Sequence, residues 1–291
     1  MLDNIVDRFF PITGLMQTEE TIREVGISYL EGQKRDGVAY VEGRFAPQYH
    51  TREGLSLRDV IRSMAAGLAE GAERFGVETA LIVGIGREVS PNAGRKVAEA
   101  AAGSGLVTAL DLCGPEAGNP SSKFTNAFGV ARASGLKLTV HAGEGAGSMV
   151  QNLRNMEDAI LLLGADRLGH AIPLAGSDKL LKLVLERHVA VEMNPVSNLV
   201  LGNIKSLEDL ALDRLLRLGV DVSVNSDDPA LWPRGHLPDA YFQVCRAYGF
   251  GFKELDRLVS NSFEGSFASR RGKERLAQAY CEARRKTELT G

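Results

Sequence analysis

One unit repeats along most of this chain, and it limits the folds available. A short run of β-branched and other apolar residues ends in a polar cluster, and a segment with apolar residues three and four apart follows. Seven such runs can be read: Val38–Pro47 (VAYVEGRFAP), Thr79–Arg87 (TALIVGIGR), Leu106–Gly114 (LVTALDLCG), Lys137–Glu144 (KLTVHAGE), Arg167–Ala171 (RLGHA), Val189–Ser197 (VAVEMNPVS) and Asp221–Pro229 (DVSVNSDDP). Several are continuously apolar rather than alternating, the pattern of parallel strands covered on both faces.

The segments between them read as helices. In SLRDVIRSMAAGLAEGAERFG, the residues Leu57, Val60, Ile61, Met64 and Leu68 share one face. Ser56 with Asp59 three residues on has the form of a capping box, and Gly76 supplies a stop. DKLLKLVLERH and LEDLALDRLLRLG are expected to form helices in the same way, the second ending on Gly219. No Pro/Ser-rich linker and no shift of composition interrupts the pattern, so one α/β domain over 1–291 is expected.

Alternating β and α leaves an open doubly wound sheet or a closed (β/α)8 TIM-type barrel. A barrel spreads its functional residues over the C-terminal ends of several strands, whereas an open sheet gathers them at one switch point. Here polar clusters end many of the runs: Arg44, Gly114, His141 with Glu144, His170, Asn194, and Asp227 with Asp228. The barrel is the expected fold, with seven strands where eight are needed.

Composition excludes several classes. A net charge of −3 gives no electrostatic reason to bind nucleic acid or an anionic membrane. No apolar run reaches the roughly 18 residues of a membrane span. MLDNIVDRFF carries two aspartates where a secretory signal is basic and then apolar. The three cysteines, Cys113, Cys245 and Cys281, form no CxxC pair, which fits a reducing cytoplasm better than a disulfide framework.

Among the candidates for chemistry, TVHAGEGAGS places His141 at a strand end with Glu144 three residues later. Histidine is a common metal ligand, and a nearby carboxylate can move protons for an attacking water. Each residue alone has a plainer reading. His141 and His170 could be satisfied structural histidines, and NSDDP could be an Asx turn capping a helix. The glycines of AGEGAG match neither GxGxxG nor a P-loop. Together, two histidines, a glutamate and an aspartate pair at three strand ends are not required by packing, whereas metal-assisted hydrolysis does require such groups. His50, His188 and His236 lack such company and read as structural. Trp232 is open to two readings, lining a pocket mouth or packing at the surface.

HAGE, RLGHA and NSDDP, in this order and at these intervals, resemble the adenosine deaminase family of metal-dependent amidohydrolases. YVEGRFAP, DLCGPE, NPVSN and NSFEGSF are similar to family segments too, so the resemblance runs from about Leu2 to the C-terminus. It implies one zinc ion, with His141 and Asp227 as ligands. It implies that Glu144 protonates the purine ring nitrogen beside the attacked carbon, which requires Glu144 to carry a proton when substrate binds. His170 would orient and deprotonate the attacking water, Asp228 would accept a hydrogen bond from the purine imidazole nitrogen, and Gly114 would offer its backbone N–H to the ring. The implied partner is a small purine nucleoside, with oligomeric state left open.

The sequence departs from the family at one place. Members carry an His-x-His pair on their first strand, and no His-x-His occurs among the five histidines here. The expectation is therefore a barrel without its first strand, an open seam and an incomplete zinc ligand set. Three functions follow from the resemblance and this departure. The first is deamination of adenosine or 2′-deoxyadenosine to inosine or 2′-deoxyinosine and ammonia. The second is action on adenine or a modified adenine nucleoside. The third is a non-catalytic purine-binding remnant. The glycine in CGPE leans towards a nucleoside.

Overall fold

A computed structural model describes residues 11–145 and 147–290. The opening stretch MLDNIVDRFF and Ala146 of the glycine-rich turn lie outside the described residues. All seven expected strands are present: β1 (Tyr40–Phe45), β2 (Glu78–Gly86), β3 (Ala109–Cys113), β4 (Lys137–Ala142), β5 (Arg167–His170), β6 (Ala190–Met193) and β7 (Val222–Val224). They lie parallel and in chain order, each paired with the next.

Side-chain contacts show that this sheet curls into a barrel. In a flat sheet with strands about 4.8 Å apart, β1 and β6 would stand about 24 Å from one another. Yet Arg44 on β1 lies 2.9 Å from Glu192 on β6, and Glu42 on β1 lies 2.6 Å from Arg167 on β5. Arg44 also lies 3.7 Å from Asp111 on β3, and Arg167 lies 2.9 Å from Glu192. These residues sit at alternate positions of their strands, so the period-2 inward face carries charge where many barrels carry Val, Ile and Leu. The opposite faces of β4, Leu138 and Val140, meet the apolar core with the surrounding helices.

Helices form where their local signals place them. Helix α1 spans Glu19–Arg35 and α2 spans Leu57–Phe75. The Ser56–Asp59 capping box is made, and Gly76 ends α2 in the left-handed conformation at φ 67°. Gly67 lets α1 approach closely, because a Cβ there would strike the backbone of Arg23. Helices α3 (Pro91–Ala102), α4 (Thr125–Ala133), α5 (Met149–Asp158) and α6 (Asp178–Arg187) alternate with the strands. A short helix α7 (Pro195–Val200) follows β6.

LEDLALDRLLRLG is not one helix. A 3-10 turn, Leu207–Leu210, stops at Ala211 (φ 48°), and α8 begins at Leu212 and runs to Leu218. The side chains of Leu207, Leu210, Leu212, Leu215 and Leu216 are all buried, so packing rather than helix propensity sets this break. NSDDP does not cap a helix either: α9 (Leu237–Tyr248) starts only at Leu237. Trp232 is buried in the core and does not pack at the surface. His50 is buried with Nδ1 2.9 Å from Met16 O, and His236 Nδ1 lies 3.0 Å from Asp36 Oδ2, both structural partnerships.

No ladder joins β7 to β1 among the described residues. The chain after β7 covers part of this seam. Helix α10 (Phe252–Gly265) packs on β7, and Asn261 Nδ2 donates to Val222 O at 3.0 Å. Just beyond it, Phe267 N donates to Glu42 Oε1 at 2.5 Å, and the Phe267 ring stacks 3.5 Å from the Arg167 guanidinium. No helix among the described residues is long and apolar enough to cross a membrane.

Two outcomes follow from the interior charges. Replacing Arg167 with Met leaves Glu42 and Glu192 buried without their shared cation, and should cost about 3–5 kcal/mol of stability, read as a large fall in Tm. Burial alone would raise the carboxylates. For Glu192 the Arg167 and Arg44 guanidiniums outweigh it, and for Asp111 Arg44 and His141 do, holding each at about 2. These folded values lie below the unfolded ones, so the stabilisation is complete above about pH 5 and fades as pH falls towards 2. Circular dichroism across that range should show acid unfolding, and a Glu192→Gln variant should show a shallower pH dependence.

Candidate active site

The candidate residues all lie at or just past the C-terminal ends of strands. His141 stands near the end of β4, and Gly143 (φ 77°) turns the chain so that Glu144 follows. His170 ends β5 at φ 66°, and Asp227, three residues past β7, sits at φ 58°. Non-glycine residues in the left-handed region are held there against a local cost, and such positions gather at functional sites. Gly114 follows β3 at φ 93°, exposed, and its N–H has no hydrogen-bond partner among the described residues.

The histidines are oriented from behind. His170 is fully buried: its Nδ1 lies 2.8 Å from Asn198 Oδ1, and Asn194 Nδ2 lies 3.0 Å from its Nε2. An amide nitrogen can only donate, so Nε2 accepts and Nδ1 carries the hydrogen. Nε2 also lies 3.7 Å from Glu144 Oε1 and 4.0 Å from Asp227 Oδ2. His141 faces its neighbour ring at 5.1 Å between centroids. Its Nδ1 lies 2.9 Å from Asp111 Oδ2, and Arg44 Nη1 lies 3.3–3.4 Å from both ring nitrogens. Burial opposes the charged imidazolium, but the Asp111 carboxylate outweighs it and raises His141 to about 9. Burial and the adjacent Asp227 carboxylate hold Asp228 well above the usual carboxylate range.

Backbone positions are fixed as firmly. Arg87 is fully buried and donates to His141 O at 2.6 Å, Asn119 O at 2.8 Å and Ser121 Oγ at 3.1 Å. Glu116 Oε1 accepts from Glu144 N at 2.7 Å, while its Oε2 accepts from Asn155 Nδ2 at 2.8 Å. Neither Asp111 nor Glu116 stands out by spacing. The available signal for Asp111 is a lone aspartate inside the apolar run of LVTALDLCG.

His141, His170 and Asp227 each offer a donor atom, all within 4.8 Å of one another. Two imidazoles and a carboxylate suit a divalent transition metal, and Asp111 and Asn198 supply the partners that fix metal-binding histidines. The donor set therefore fits a metal ion, and His170 stands beside the expected pair as a third nitrogen.

A parallel barrel that gathers histidines and carboxylates past its C-terminal strand ends has the arrangement in which barrel hydrolases hold a metal. The chain belongs to the adenosine deaminase family: the family model "Adenosine deaminase" matches residues 2–282. It is 33% identical to an adenine deaminase of Chlorobium luteolum over 92% of this chain and 77% of that one. It is 32% identical to an adenosine deaminase of Enterococcus faecalis over 97% and 82%. Its fold matches the crystal structure of an adenine deaminase from Arthrobacter aurescens with TM-score 0.90, 29% identity, and coverage of 98% and 85%. At 23% identity and TM-score 0.83, over 94% and 76%, a zinc-bound amidohydrolase from Burkhoderia ambifaria shares the fold.

Replacing Glu116 with Ala removes the acceptor that seats the Glu144 backbone. If the site works as a deaminase, kcat/KM should fall about tenfold to a hundredfold, the size of a lost charged hydrogen bond, with the far-ultraviolet spectrum unchanged.

Proposed function

We propose that this chain is a zinc-dependent purine deaminase, converting adenosine or 2′-deoxyadenosine to inosine or 2′-deoxyinosine with release of ammonia. The observation that carries the reading is the meeting of Glu144 and Asp227 at His170 Nε2, with His141 beside them. The residues that would hold zinc are His141 and Asp227, with His170 within reach. Zinc bound there supplies a Lewis acid that brings the pKa of water towards about 7.

The remaining work falls to the chain's own groups. Gly114 N–H donates to the purine ring, and Asp228, kept protonated by burial and the adjacent Asp227 carboxylate, donates to the bare imidazole nitrogen N7 of the nucleoside; together they orient it. Glu144 gives a proton to the ring nitrogen beside the carbon under attack. His170, with Nε2 as its basic atom, takes a proton from the attacking water. That proton then leaves with the amino group as ammonia, the ring keeps the oxygen as a carbonyl, and the oxygen's remaining proton returns to Glu144. Three free cysteines fit a cytoplasmic setting.

Adenine is the second reading, supported by relatives of that name at 33% and 29% identity. Parallel assays on adenosine and adenine separate the two, and a preference for adenine would sink the first. Glu144→Gln should lower turnover at least about a hundredfold while leaving zinc content by elemental analysis unchanged. Chelation should abolish turnover, and added zinc should restore it. Full activity in the metal-free chain would reject the reading.

A further inference from the structure

We propose that Glu88 reads the end of the substrate remote from the reacting carbon, accepting a hydrogen bond from a neutral donor there. That donor is a sugar hydroxyl or a ring N–H, and a phosphate is refused. The proposal rests on the purine deaminase reading for the identity of the ring.

The argument starts from position. Arg87 N donates to Cys113 O at 2.8 Å, which extends the β2–β3 ladder by one residue. Glu88 is the next residue, exposed on the same C-terminal rim as the candidate site. Along that rim, β2 carries Glu88, β3 carries Gly114, and β4 carries His141 and Glu144. Gly114 thus lies between Glu88 and the reacting groups. Two strand spacings come to about 10 Å, the length of a purine with the first atoms of its substituent.

The carboxylate is also aimed. It folds back over two glycines: a Cβ on Gly86 would collide with both the Glu88 carboxylate and the Tyr49 hydroxyl. A Cβ on Gly114 would lie 3.4 Å from Glu88 Oε2. Tyr49 Oη donates to Oε1 and fixes the group. Oε2, on the Gly114 side, has no donor among the described residues, and no cation there pairs with Glu88. Gly114 therefore presents a free N–H donor and Glu88 a free acceptor side by side, which suits a neutral ligand edge.

Charge then selects the ligand class. The cations nearest by connectivity are committed elsewhere. Lys123 Nζ donates to Arg87 O at 2.9 Å and Asn119 Oδ1 at 3.0 Å, and buried Arg87 is bonded to Asn119 O, Ser121 Oγ and His141 O. A phosphate seated beside Glu88 would meet an uncompensated carboxylate, and like charges at close range cost binding.

Calorimetry on the full chain with inosine, hypoxanthine and IMP as probes tests this, beside turnover of adenosine, adenine and AMP. The wild type should bind inosine or hypoxanthine and prefer it to IMP. Glu88→Ala should weaken that binding about tenfold or more, with kcat within about threefold. Glu88→Gln, which keeps an acceptor but loses the charge, should recover part of the neutral affinity while narrowing the preference over IMP. A loss confined to inosine identifies a hydroxyl donor, and a loss confined to hypoxanthine identifies the ring N–H; either supports the proposal. Unchanged binding in Glu88→Ala at unchanged Tm, or a wild-type preference for IMP, overturns it. Binding that depends on Glu88 without any turnover would leave Glu88 standing and count against the deaminase reading. Turnover of adenosine and adenine with both KM and kcat unchanged in Glu88→Ala would do the reverse.

Discussion

Five charged side chains enclosed by the strands hold this molecule in its curl. Arg44 and Arg167 each bridge strands that a flat sheet would keep far apart, with Glu42, Asp111 and Glu192 as their counter-charges. Removing any one partner leaves another charge buried without compensation, which is why such a set fixes geometry more strongly than it adds stability. The same network runs directly under the candidate site. Arg44 and Asp111 both touch His141, so the interaction that curls the sheet also sets the imidazole's orientation.

Above this floor the rim is arranged by buried polar contacts rather than by the strands alone. His170 keeps an unfavourable backbone conformation because Asn194 and Asn198 occupy both ring nitrogens. Glu144 lies past the end of its strand, yet Glu116 seats its N–H and Arg87 ties down the neighbouring His141 carbonyl. Preorganisation of this kind holds His170 Nε2 and Glu144 Oε1 within 3.7 Å of one another.

Much of this was legible in the sequence, for physical reasons. Parallel strands buried on both faces leave continuous apolar runs, so all seven could be located, and the Ser56–Asp59 cap and Gly76 marked α2 by local chemistry alone. His141, His170, Glu144 and the aspartate pair stood out because polar residues end apolar runs. The supporting residues did not stand out. Asp111, Glu116 and Glu192 acquire meaning only through partners about 25 to 150 residues away, which no local spacing encodes. The break at Ala211 was hidden likewise, because leucines on both sides fit a continuous helix until tertiary packing is known.

No His-x-His pair occurs in this sequence, so metal binding at His141 and Asp227 is the central claim. The most direct measurement is an anomalous difference map at the zinc absorption edge, from crystals of this chain grown with zinc. The account predicts a peak within about 2.0–2.2 Å of a His141 nitrogen and an Asp227 oxygen. A map with no peak between those residues, or with zinc only at the surface, would contradict it.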